Sequence, residues 1–189
     1  MPESPLTCCI LQPTFLPWLG WFDLVDQSDL LVILDDAAFS KQSWQQRNRI
    51  RTERGLEFVT VPVRTAGRLG QPIDEVSIAS PDFVNSVMGR IRQNYRKAPY
   101  FRDFSARLHD VLIQATHSGL LCEVNVAVND FLMQELGITT PTVRAASLGV
   151  NGVRGERVAA ICETVGAVKY LSPLGAAEYL FEDRTSFEQ

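Results

Sequence analysis

Apolar residues fall along this chain in two rhythms, short unbroken runs and longer stripes at helical spacing. Residues 6–11 (LTCCIL) and 30–34 (LLVIL) are continuous apolar runs, the pattern of strands covered on both faces. Between them Pro13 ends the first run, and Pro17 restricts Leu16 to an extended conformation. Trp18, Leu19, Phe22 and Val25 then recur at helical spacing, which predicts a helix over residues 18–25 covering the sheet. On that reading Trp18, Trp21 and Phe22 belong to the core. The opening is therefore a strand, loop, helix, strand unit.

Further along, Arg54-Gly55 reads as a turn before a Val/Thr/Phe-rich strand over residues 56–63, and residues 73–78 read as a weak, short strand. Ser80-Pro81-Asp82 opens a helix whose stripe is Phe83, Val87, Ile91 and Tyr95. Two more helices follow over residues 101–116 and 122–136, broken by Gly119 and Gly137, so residues 81–137 form a helical insert or flank. The β-branched stretch 139–148 returns to the sheet; residues 154–165 are a helix closed by Gly166, 168–171 a last strand, and 175–180 a short helix. Strands alternating with helices, without repeat or linker, predict one α/β domain over residues 1–189 with a mainly parallel sheet.

Composition adds limits. The net charge of −4 argues against a general nucleic-acid or membrane-surface binder, so any basic site must be local. Cys8, Cys9, Cys122 and Cys162 lack zinc or CxxC spacing, and the N-terminus has neither a basic region nor a signal-length apolar stretch. No run of about 18 uncharged apolar residues suggests a membrane span. These features read as a reduced, cytoplasmic protein.

Charge distribution then changes the picture. From Lys41 to Arg68 the chain carries seven basic residues against Glu53 and Glu57. Within that stretch Lys41, Trp44, Arg47, Asn48 and Arg49 are the candidate substrate-binding residues. Arginine forks hold phosphate or carboxylate in paired hydrogen bonds, amides orient neighbouring groups, and a tryptophan can stack on a ring. The competing reading is a solvated helix or hairpin. Ligands of open α/β sheets sit beyond the carboxyl ends of the strands. That puts Gln12, ending the first run, and Asp35 and Asp36, ending the second, on one rim if the strands are parallel neighbours. Gln12 could read a ligand; Asp35 or Asp36 could act as a base or hold Mg²⁺ beside substrate phosphate, with only one of the adjacent pair facing the rim. No Walker motif, GxGxxG or serine nucleophile elbow is present.

The segments ILQPTFLPWLGWFDLVDQSD, VILDDAAFSKQSWQQRNRIRT, FVTVPV, YRKAPYF and GAVKYLSP, in this order, resemble the WbqC-like protein family. The resemblance implies a bacterial cytoplasmic protein associated with O-antigen and other surface-polysaccharide or specialised-metabolite biosynthesis. With the basic segment, it leads us to expect a transferase-type enzyme acting on an anionic, phosphate-bearing or carrier-linked substrate; the alternative is a non-catalytic binding or assembly protein for a carrier or pathway partner. Two departures stand out: Leu11 occupies the position where many members have histidine, and the family's aromatic, Pro-rich tail beyond Gln189 is expected but absent. The opening unit is also similar to nucleotidylyltransferase-like (Rossmann-like) domains, but LPWLG lacks their histidine pair, so adenylyl transfer does not follow.

Overall fold

The computed structural model describes residues 5–173. In chain order they form β1 (Thr7–Leu11), α1 (Leu19–Asp26), β2 (Leu30–Ile33), β3 (Arg47–Thr52), β4 (Gly55–Thr60), α2 (Phe83–Tyr95), α3 (Phe101–Thr116), α4 (Leu121–Glu135), β5 (Thr142–Arg144), α5 (Ala145–Leu148), α6 (Arg154–Val165) and β6 (Lys169–Leu171). Among the described residues these group into two compact units. The first comprises residues 5–12, Trp18–Asp36 and residues 137–173; the second comprises Pro13–Pro17 and Ala37–Leu136.

The first unit is the expected parallel sheet with flanking helices. Its strand order is β5-β2-β1-β6, and every pairing is parallel. Cys8, Ile10 and Val32 pack on Val158 and Ile161 of α6. Alternation sends Cys9, Leu31 and Ile33 to the opposite face, where they are equally buried, which is why both runs, Thr7 apart, lack polar residues. Leu11 pairs with Ile33, so β1 and β2 release Gln12 and Leu34 at the same edge.

In the covering helix the buried residues are Trp21, Phe22 and Val25. Trp18 corrects the expectation, being 65% exposed. It sits at the N-cap of α1, ahead of the first helical turn, so the buried stripe begins after it.

The second unit wraps α2, α3 and α4 and the β3–β4 hairpin around Phe15, Val59, Val84, Leu112, Val124 and Val128. The three helices lie where the apolar stripes predicted them. Residues 73–78 do not form the expected strand. Ile73–Glu75 is a turn of 3₁₀ helix, and Ser77 and Ile78 each make only a single bridge. Residues 139–148 do return to the sheet, but as three residues of edge strand followed by one helical turn. The short helix expected over 175–180 lies outside the described residues.

β3 was not evident as a strand because its sequence, RNRIRT, is rich in arginine and poor in β-branched residues. It forms through full antiparallel register with β4, from Arg47↔Thr60 to Thr52↔Gly55. Gly55, at φ +113°, supplies a backbone conformation closed to other residues, and the Thr52 hydroxyl donates to its carbonyl at 3.0 Å.

Candidate functional site

At the carboxyl edge of the parallel sheet the two aspartates are engaged. Asp35 follows β2 and is 2% exposed. One of its carboxylate oxygens accepts the Arg144 Nε–H at 2.6 Å, the other the Ala146 backbone N–H at 3.0 Å. It thereby caps the one-turn α5 and ties β2 to the end of β5. Asp36 accepts from the Arg157 guanidinium of α6 through Oδ2. Its buried Oδ1 and the buried Arg157 Nε have no hydrogen-bond partner among the described residues. Of the two carboxylates, Asp36 is the one with an oxygen to spare. Both carboxylates lie against an arginine, and among the described residues no cluster of three or more His, Cys, Asp or Glu could hold an ion.

Gln12 is exposed at the same edge. The strand order β5-β2-β1-β6 reverses direction between β1 and β6, and that reversal marks the usual ligand crevice of open parallel sheets. Gln12 leaves β1 at this point.

Deeper in the same unit, Cys8 of β1 and Cys162 of α6 bring their sulfurs to 3.7 Å. Their hydrogen bond, in which either sulfur can be the donor, and burial together push the Cys8 thiol up; the same bond draws Cys162 down against the opposing effect of burial. Burial likewise raises Cys9. A fully buried thiol such as Cys8 is an inert core residue.

The basic segment lies in the second unit, and its geometry follows from strand alternation. Arg47, Arg49 and Arg51 project from one face of β3, opposite Thr60, Phe58 and Leu56 of β4. The Arg47 guanidinium lies 4.2 Å from the centre of the Phe58 ring. Arg49 lies 5.3 Å from Trp44 and 5.9 Å from Phe58, whose rings are 6.3 Å apart. Trp44, Phe58 and Leu56 remain 48%, 40% and 63% exposed. Stacking on a ring orients the planar guanidinium and occupies its face, leaving the N–H edge for an acceptor. Among the described residues neither Arg47 nor Arg49 pairs with a carboxylate. This is an outward basic-aromatic face, not a salt-bridged one.

The other polar residues of the segment build that face. Gln45 and Gln46 are buried; their side-chain oxygens accept the backbone N–H groups of Ser40 and Gln42 at 2.8 and 3.0 Å, shaping the turn that presents Trp44. Lys41 is exposed on that turn, next to Gln42, which has φ +61°. Asn48 points to the opposite face from Arg47 and Arg49. Its amide donates to the carbonyls of Leu16 and Phe15 at 2.6 and 3.3 Å.

Those bonds hold the Pro13–Pro17 loop. Leu16 corrects the extended conformation expected before a proline: its φ is +50°, a left-handed conformation that costs a non-glycine residue about 1–2 kcal/mol. The surroundings impose it. Phe15 is fully buried, its ring 6.4 Å edge-on to Phe83, and its N–H donates to the Trp44 carbonyl at 3.0 Å. From α4, buried Asn125 donates to the carbonyls of Pro13 and Gln45 at 3.0 and 2.7 Å. Asn129, one turn on, reaches the Thr14 carbonyl at 3.0 Å when its amide is oriented to donate. One pair of asparagines on a helix thus fixes both the first loop and the turn beneath Trp44.

Sequence reasoning did not single out Phe58, Arg51, Arg144, Arg157, Asn125 or Asn129. Two signals were available. The alternation Arg47-Asn48-Arg49-Ile50-Arg51 has the period of a strand, and Asn125 and Asn129 interrupt an otherwise apolar helix face at i, i+4.

Comparison with known protein families agrees with the sequence resemblance. The model of the WbqC-like protein family matches residues 12–189, and the chain belongs to that family. It is 31% identical over 173 residues to the uncharacterized protein Rv1507c of Mycobacterium tuberculosis, spanning 92% of this chain and 74% of that protein. No solved structure matches the chain, and the nucleotidylyltransferase-like kinship is not confirmed. No helix among the described residues is long and apolar enough to cross a membrane.

Proposed function

We propose that the outward face of the β3–β4 hairpin binds a phosphate-bearing or carrier-linked anionic substrate. We further propose that the protein is a cytoplasmic, transferase-type enzyme of bacterial surface-polysaccharide (O-antigen) or specialised-metabolite biosynthesis. The observation that carries this reading is the pair of arginines stacked on exposed aromatic rings, Arg47 on Phe58 and Arg49 between Phe58 and Trp44. Arg47 and Arg49 neutralise the anion, Lys41 adds charge at the edge, and Trp44 offers a flat apolar surface to a ring or chain beside the anionic group. Asn48 acts indirectly, by holding the Pro13–Pro17 loop. The nearest equivalent in chemistry is a phosphate clamp, which works by charge and positioning.

A second reading, a non-catalytic binding module for a carrier or pathway partner, is favoured by one observation: Asp35 and Asp36 both face arginines, so neither is a free base. Thermal unfolding in the presence of nucleotide sugars, coenzyme A and a phosphopantetheinylated carrier protein separates the two. Stabilisation by a small molecule together with turnover supports the enzyme; stabilisation by the carrier protein alone supports the module. In either case Arg47→Ala and Arg49→Ala should each weaken binding of the stabilising compound by about tenfold, the loss of one charge-assisted contact. Unchanged affinity in both variants would remove the hairpin face from the function.

A further inference from the structure

The segment YRKAPYF is not used by the hairpin face, yet it shapes an apolar concavity of the second unit. Its residues close α2, turn, and open α3. A cavity of about 400 Å³ lies there, with Ile50, Ile91, Tyr95, Pro99, Phe104 and Leu132 among its walls. That is within the size range of small-molecule sites. Its one anchored polar group is the Tyr95 hydroxyl, which accepts the Arg51 N–H at 2.9 Å and keeps its own proton to donate. Tyr100 forms part of the wall at φ +61° and is 89% exposed, so the turn keeps a strained, open lip instead of folding an aromatic ring into the space.

A polar groove of about 540 Å³ adjoins it, lined by Thr52, Arg54, Glu57, Arg90, Asn94 and Arg96, among others. Their linings are neighbours along the chain. Ile50 and Thr52 are successive residues on the inward face of β3, and Asn94, Tyr95 and Arg96 are consecutive in the chain. Two acidic groups, Glu53 and Glu57, line the groove with the three arginines Arg54, Arg90 and Arg96. Along the segment that joins α2 to α3 the sequence is basic: Arg90 to Arg102 holds five basic residues, and the acidic Asp103 follows directly.

We propose that this paired site binds an amphiphilic anion, a medium-length alkyl chain ending in carboxylate or phosphate. The chain lies in the apolar cavity, and the head group lies toward Arg96 and the Tyr95 hydroxyl. Apolar walls exposed to water gain by covering a hydrocarbon, and the surrounding cations select the sign of the head. The site uses the inward face of β3 and the α2–α3 turn, so it stands apart from Arg47, Arg49 and Trp44 and does not rest on the reading given to them.

The test is titration calorimetry on the whole protein with decanoate, decanol and decylammonium below their micellar concentrations. Saturable one-to-one binding of decanoate, about tenfold or more tighter than decylammonium, is the expected result. Ala98→Trp, at an exposed position on the cavity wall, should lower decanoate affinity by about tenfold while shifting the thermal midpoint by no more than about 2 °C. Arg96→Glu should weaken decanoate by about tenfold and decanol by less than about twofold. The proposal is overturned by absent or unsaturable decanoate binding, by decylammonium binding as tightly as decanoate, or by a folded Ala98→Trp protein that binds as the unmodified chain does. Because the comparison of the three ligands needs no variant, it decides the matter even if a substitution fails to fold.

Discussion

At the sheet's carboxyl edge in the first unit, Asp35 and Asp36 each meet an arginine; on the hairpin of the second, Arg47 and Arg49 meet aromatic rings and, among the described residues, no carboxylate. The difference follows from burial. A carboxylate at 2% exposure cannot remain unpaired without a large desolvation cost, so Asp35 must be neutralised by its own chain. Arginines on an exposed strand face need no partner, since water solvates them, and stacking on Phe58 and Trp44 only orients them. Charged residues that are equally prominent in sequence are therefore placed differently: one set holds the fold, and the other lies on the hairpin face where we propose a ligand.

The comparison is most directly broken at Arg144. Arg144→Ala would leave the Asp35 carboxylate buried with only the Ala146 N–H, and should destabilise the protein by about 3 kcal/mol in urea unfolding. A loss below about 0.5 kcal/mol would mean that the pair is not structural. Next in size is Asn125→Ala, which strips the Pro13 and Gln45 carbonyls of their donor and should cost about 1–3 kcal/mol. Its effect should reach the hairpin face as well, as weaker binding of whatever compound stabilises the protein, because the turn beneath Trp44 loses its support.

Phe58→Ala sharpens the other side. Removing the ring beneath both arginines should leave stability within about 1 kcal/mol but lower anion affinity by about two- to fivefold, the scale of an exposed cation–π contact. If affinity instead fell with stability in parallel, the face would be scaffold like the sheet edge. The smallest effect concerns the thiols. Limited treatment with iodoacetamide near pH 8, read by mass spectrometry, should alkylate Cys162 before Cys8 or Cys9, because Cys162 is only partly buried whereas Cys8 and Cys9 are buried and their thiols are raised.

Much of the fold was legible because burial leaves a local imprint. The unbroken run before Asp35 announced a strand covered on both sides, and the stripes at Phe83, Val87 and Ile91 announced a helix with one buried face. β3 was harder to read for the same reason: with Arg47, Arg49 and Arg51 facing outward, its strand-period alternation places charge where apolar residues usually mark a strand. Trp18 misled in the opposite direction, since a large aromatic next to a helix is usually buried, but here the helix begins one residue later.

By itself the sequence determined the alternation of strand and helix, the family, and the stretch from Lys41 to Arg49 as a concentration of cations. Each is a property of neighbouring residues or of their order. Tertiary structure alone decided which charges are available. Arg144 lies 109 residues from Asp35, Arg157 lies 121 from Asp36, and Phe58 reaches Arg47 and Arg49 only through the hairpin register. Pairing and stacking depend on distances that the folded chain sets, so two acidic residues that looked free are held by arginines, while Arg47 and Arg49 lie over aromatic rings.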